Sequence, residues 1–130
     1  TDMYVLTTNG ITVSVETQYL STHSNPREQK YIFGYHITIE NGTNHVVQLL
    51  RRRWVIWDAD GQIREVEGEG VVGIQPVIAP SSSYQYISGC NLRSDIGKMK
   101  GTYLLENVNN KKTFTVGIPT FYMHAPFKLN

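Results

Sequence analysis

Apolar residues alternate with polar ones along most of this 130-residue chain. Ile11, Val13, Val15 and Tyr19 keep a period of two through residues 11–20, and Tyr31, Phe33, Tyr35, Ile37 and Ile39 keep it more strictly. Side chains two apart share a strand face, so both stretches predict strands with one core face and one wetter face. Asn41-Gly42 then predicts a tight turn. Residues 45–57 are long and apolar, with Arg51-Arg52-Arg53 in their middle. Regular alternation places Arg51 and Arg53 on one face and Arg52 with Leu50, Trp54 and Ile56 on the other. Neither face is cleanly apolar, which predicts a β-bulge in this stretch. Asp60-Gly61 predicts a hairpin leading into 62–67. Shorter strands are expected at 77–78, 83–88, 100–107 and 113–118, with 121–123 extending the last. Helical periodicity is nearly absent; the best helix candidate is 91–98, and Gly97 weakens it.

Composition sharpens the fold class. Eight Tyr, four Phe and two Trp suit half-buried strands, and eleven Gly and five Pro supply turns. Seven or more short strands with regular turn signals predict an all-β sandwich in one domain, 1–130. Cys90 is the single cysteine, so an immunoglobulin-type disulfide is excluded and a fibronectin-type-III-like, antiparallel sandwich is expected. Residues 1–10 are an N-terminal segment, and Thr1-Asp2 before Met3 are given no structural role, as a cloning remnant. Twelve Lys+Arg against eleven Asp+Glu leave a formal charge of +1. That balance argues against a nucleic-acid or acidic-membrane partner. Nothing approaches a membrane span of about 20 apolar residues. With no leader at its start, the chain is expected to be cytoplasmic, as a monomer or homodimer.

One motif is sharp. Gly68-Glu69-Gly70-Val71-Val72-Gly73 spells G-x-G-x-x-G. In a dinucleotide fold that spelling brings backbone amides and a helix N-terminus to a pyrophosphate. Here Pro76 and Pro80 follow within seven residues of the motif, which argues against the helix. Two readings remain: an anion nest of glycine-loop amides, or a strand connection that needs glycine's positive φ. In the first, Gly68, Gly70 and Gly73 hold the anion and Arg52 or Arg53 clamps it. In the second, the arginines are solvated or pair with Glu65, Glu67 or Glu69.

Catalytic constellations are poor. His23, His36, His45 and His124 are scattered, without metal-ligand spacing. Cys90 reads as a small buried residue. Asp58, Asp60 and Glu69 match positions one, three and twelve of a calcium loop, but Ile63 stands where that loop needs glycine. Asn41-Gly42-Thr43 matches a glycosylation acceptor and reads as a turn. No catalytic residue, metal site or cofactor is expected, and the chain is not expected to be an enzyme.

Taken in order, the motifs resemble the ApaG (CorD) family from about Ile11 to Pro126. The block runs Val47-Gln48-Leu49-Leu50, Arg52-x-Trp54, Asp60-Gly61, then Val66-x-Gly68-Glu69-Gly70-Val71-Val72-Gly73-x-Gln75-Pro76. Tyr86-x-Ser88-Gly89, Gly97-x-Met99-x-Gly101-x-Tyr103, Phe121 and Pro126 follow. The resemblance implies a fibronectin-type-III-like sandwich without established catalysis. It implies a genetic link to cobalt and magnesium tolerance, and gene neighbours that include a diadenosine-tetraphosphate hydrolase. Similar domains in eukaryotic F-box and polymerase-interacting proteins look like protein-interaction modules. The family's glycine motif implies pyrophosphate binding at Gly68, Gly70 and Gly73. This chain departs from the pattern at Arg51 and Arg53, commonly Ser and His; at Ile74, where an acidic residue is frequent; and at Ser81-Ser82, where a glycine is common. A histidine-based metal role at position 53 is therefore unavailable. The expected function is a binding module for an unidentified protein partner, of the ApaG type. A nucleotide or pyrophosphate sensor is the alternative, and a phosphohydrolase ranks last.

Overall fold

In the computed structural model, which describes residues 2–126, the alternating segments are strands. They are β1 (Met3–Thr8), β2 (Ile11–Tyr19), β3 (Tyr31–Asn41), β4 (Val47–Asp58), β5 (Ile63–Glu69), β6 (Val77–Ile78), β7 (Ser83–Leu92), β8 (Ile96–Asn107) and β9 (Thr113–His124). One sheet runs β1-β2-β3-β7. The other runs β5-β4-β8-β9, with β6 also on β4. All pairings are antiparallel. Among the described residues the helical content is two single 3₁₀ turns, Ser21–His23 and Pro26–Glu28, between β2 and β3. The two-sheet sandwich resembles fibronectin-type-III-like domains, as the strand pattern predicts.

The core lies between the two inward faces. Ile11, Val13, Val15, Ile37 and Ile39 from one sheet are fully shielded from solvent, as are Leu49, Tyr103, Leu105 and Val116 from the other. Each such side chain contributes about 1.5–3 kcal/mol of burial. Trp54 meets the ring of Phe121 edge-on at 5.8 Å, and Tyr35 packs on both at 5.7 and 5.6 Å.

The β-bulge is where the arginines place it. The β4–β8 register slips between Leu49 and Arg51. Leu49 and Trp54 lie an odd number of residues apart, yet both are buried. Only an extra residue in the strand lets both face inward. Past the slip, Arg51 and Arg53 face solvent, while Arg52 shares the inward face of Trp54.

Three local expectations change. Residues 91–98 are not helical: β7 runs to Leu92 and β8 starts at Ile96. The turn between them is pinned from a distance by the Asp58 carboxylate, which accepts from the Arg93 and Ser94 amides at 2.6 and 3.2 Å. Asn41-Gly42 is not a hairpin turn, because β3 and β4 belong to different sheets. Asn41 is buried and staples the crossing: its side-chain amide donates to the carbonyls of His45 and Ile78 at 2.7 and 2.9 Å. Finally, a strand precedes Ile11. β1 pairs with β2 from Met3↔Glu16 to Thr8↔Ile11, turning through Asn9 and Gly10, both at positive φ. The Asp60-Gly61 hairpin and the extension of the last strand through 121–123 form as predicted.

Candidate functional site: a glycine turn on the edge of β4

β8 occupies one edge of β4, so β5 and β6 share the other. β5 pairs with Arg51–Trp57 and β6 with Val47–Gln48, both running antiparallel to β4. They are two halves of one edge strand, and the glycine motif is the interruption between them.

The interruption is a tight turn anchored on the β-bulge. The Val71 amide donates to the Ile74 carbonyl at 2.8 Å, and the Ile74 amide donates back at 3.0 Å. Between them Val72 and Gly73 have φ of 48° and 78°. Two successive positive values define a type I′ turn. Val71 is fully buried and plugs the core, whereas Val72 is 60% exposed at the tip. The bulge frees the Leu50 carbonyl, which accepts from the Gly70 amide at 2.9 Å and the Gln75 side chain at 3.0 Å. The Leu49 amide donates to the Pro76 carbonyl at 3.0 Å.

Each glycine has a steric reason. At Gly70, φ is +61° and a Cβ would run into the Ile74 carbonyl oxygen. Gly68 lies opposite Arg52, whose guanidinium fills the space of a side chain at 68, with Nη1 2.7 Å from a Cβ there. Gly73 sits in open space and supplies the second positive φ of the turn.

The expected clamp residues lie on different faces. Arg52 reaches the loop, where Nη1 donates to the Glu69 and Gly70 carbonyls at 3.0 and 3.1 Å. Arg53 faces outward and pairs with Glu65 at 3.1 Å and Glu67 at 3.0 Å. Arg51 is exposed and makes no ion pair among the described residues. The Val71 and Ile74 amides are spent within the loop and that of Gly70 on the Leu50 carbonyl; among the described residues those of Val72 and Gly73 meet no acceptor. No helix follows the motif, so it is not a dinucleotide-fold fingerprint.

Behind the loop lie buried phenols. The hydroxyls of Tyr86 and Tyr103 hydrogen-bond to each other across the sandwich. Burial pushes both well above the ordinary tyrosine range and raises Tyr35 as well, while the nearby Arg52 charge works weakly the other way. Burial also raises the Cys90 thiol. Among the described residues no three His, Cys, Asp or Glu side chains converge on a metal position. Asp58 holds the 93–95 turn, and Asp60 caps its own hairpin through the Gln62 amide at 3.0 Å, so the calcium-loop spacing is coincidental. Leu50, Val72 and Gln75 shape the turn and were missed as site residues. The signal for them was the bulge itself, which needs a partner for its freed carbonyl.

These features define a fibronectin-type-III-like sandwich whose broken edge strand carries a glycine-built turn. The ApaG domain family, DUF525, matches residues 21–107. Protein ApaG of Brucella suis is 45% identical over 124 residues, covering 95% of each chain, and that of Brucella anthropi is 47% identical over the same share. The crystal structure of the putative ApaA protein from Bordetella pertussis superposes with a TM-score of 0.86 at 40% identity, over 91% of this chain and 95% of that one. The C-terminal domain of wzt shares the fold alone, with a TM-score of 0.56 at 7% identity, over 98% of this chain and 80% of that one. The chain belongs to the ApaG family.

Proposed function

We propose that this domain is a non-enzymatic binding module that takes a protein partner on the turn between β5 and β6. Val72 carries the reading. The first central position of a type I′ turn favours asparagine, aspartate or glycine. A left-handed conformation costs an ordinary residue roughly 1–2 kcal/mol. Val72 is β-branched and 60% exposed, and among the described residues its side chain is not packed into the core to offset the cost. Ile74 and Val77 continue the apolar surface along the same edge. The base of the turn is held by Arg52, Gln75 and the Gly70 amide, so the tip is presented rigidly. A preformed apolar tip lowers the ordering cost of docking. A cytoplasmic setting, and a part in cobalt and magnesium tolerance played through the partner, belong to this reading.

The test places a photo-cross-linking residue at position 74 and, as a control, at Gln18. We expect one discrete protein adduct from position 74 in cells and none from position 18. Val72→Asn should abolish the adduct while raising the Tm, because strain is relieved as the contact is lost. An adduct that survives Val72→Asn undiminished would sink the tip as the docking surface.

A second reading, a pyrophosphate-bearing ligand at the same turn, rests on the bare amides of Val72 and Gly73 and on Arg52, whose guanidinium reaches the loop. Saturable amide shifts at Gly68, Gly70 and Gly73 on adding pyrophosphate support it. Unmoved amides at millimolar ligand leave the glycines structural. Gly70→Ala is a poor probe, since it cannot keep the turn.

A further inference from the structure

The opposite end of β4 carries a second, unrelated surface. Trp57 lies seven residues past Leu50, about 23 Å along the strand at 3.3 Å per residue. Its cross-strand neighbour on β8 is Lys98, and the neighbour of Lys98 on β9 is Tyr122. Side chains of Trp57, Ile96, Lys98 and Tyr122, with the Ala59 turn, line a shallow hollow at this corner. Its rim is apolar and open: Tyr122 is 51% exposed and Ile96 48%.

Two cations converge there. The Lys98 ammonium stands 4.9 Å from the Trp57 ring centroid and that of Lys100 5.8 Å. One ammonium over an indole is favourable. A second brings like charges together, and an isolated ring gives no reason for it. Neither lysine forms an ion pair among the described residues. The carboxylates of β5 that flank the row, Glu65 and Glu67, are held by Arg53. The Asp58 carboxylate is held by the 93–94 amides. Among the described residues the positive charge therefore has no ion-pair partner, and it sits beside exposed apolar surface.

We infer that this corner docks an acidic peptide segment bearing an apolar anchor, its carboxylates on Lys98 and Lys100 and its anchor between Ile96 and Tyr122. Charge complementarity selects the occupant. The Trp57 face is already covered by the ammonium groups, which disfavours a stacked nucleobase. The hollow is shallow, as peptide sites on sheet faces are. This surface does not depend on the β5–β6 turn.

The test is an NMR titration of the full chain, reading the Trp57 indole N–H and the amides of Ile96, Lys98 and Tyr122. Three capped heptapeptides serve as probes: glutamates around a central Leu-Phe pair, the same with lysine for glutamate, and glutamate alone. The first should give saturable shifts at those four residues, with affinity at least about tenfold above the other two. Lys98→Ala/Lys100→Ala, which removes both ammonium groups and their stems beside Trp57, should weaken it about tenfold. Val72→Asn should leave it unchanged, so this surface and the turn stand or fall separately. Equal responses to all three peptides, or unchanged affinity in the double variant, would overturn the inference. So would shifts at these residues with AMP and none with the peptide.

Discussion

Three consecutive arginines differ entirely in role because a strand separates its neighbours. Arg53 sits over β5 with two exposed glutamates, and exposed pairs of this kind are worth about 0.2–1 kcal/mol each. Arg52 turns inward and donates to two main-chain carbonyls that hold the glycine turn. Removing it leaves the half-buried Gly70 carbonyl without that donor, which costs about 1–3 kcal/mol, while the exposed Glu69 carbonyl turns to water. Urea unfolding should therefore show Arg52→Ala clearly less stable than wild type and Arg53→Ala close to it. Equal losses would contradict the geometry. Glycine and its absence are also legible at this scale. Gly70 is required by a carbonyl it nearly touches. Ser81 holds φ of 62° without being a glycine, so this chain accepts a strained residue at the sheet crossing.

At the scale of elements, β1 shows how little a strand need announce itself. Its Met3 and Val5 are exposed, and the alternation before Ile11 is weak. Its place is secured by partners distant in sequence. Thr8 Oγ accepts from the Gly117 amide at 3.2 Å, and Leu6 lies over the bare α-carbon of Gly117. Tyr4 packs on Phe121 at 6.3 Å. Deleting residues 2–8 should uncover the β2 edge and the adjoining core. We expect a lower urea midpoint and a smaller m-value, since less surface is buried on folding. An unchanged midpoint would make β1 dispensable. The β5–β6 edge is the converse case, where Gly68-x-Gly70-x-x-Gly73 is loud in sequence. Its meaning, a break that lets the chain turn out and return to the same edge of β4, depends on the bulge at Leu50.

The two sheets meet through groups whose protonation the fold controls. Tyr86 comes from one sheet and Tyr103 from the other, and their hydroxyls bond between them. Both phenols, with Tyr35, are raised in the folded state chiefly by burial. The unfolded chain ionises near pH 10 and thereby releases protons the folded chain keeps. Stability from these groups is thus complete below about pH 10 and falls as pH rises beyond it. Urea midpoints should hold between pH 8 and 9 and drop above pH 10. The phenolate absorbance of part of the eight tyrosines should appear only with unfolding. Full ionisation of all eight in the folded state would show that these three are not buried.

The alternating pattern alone determined strands, their approximate bounds, their inward residues and a bulge in the arginine-bearing strand, because side-chain period and face are local properties of a pleated backbone. The order of the motifs likewise carried the ApaG family. Which strands pair, and which turns join sheets rather than neighbours, was decided only in three dimensions. Asn41-Gly42 has hairpin chemistry, yet its asparagine bonds Ile78, thirty-seven residues away. Residues 91–98 were open to a helix until Asp58 captured their amides. The candidate sites divide in the same way. Glycines at 68, 70 and 73 were visible, but their reasons lie in Arg52 and Ile74. The lysine pair over Trp57 left no trace at all, because β4 and β8 are brought side by side only by the sheet.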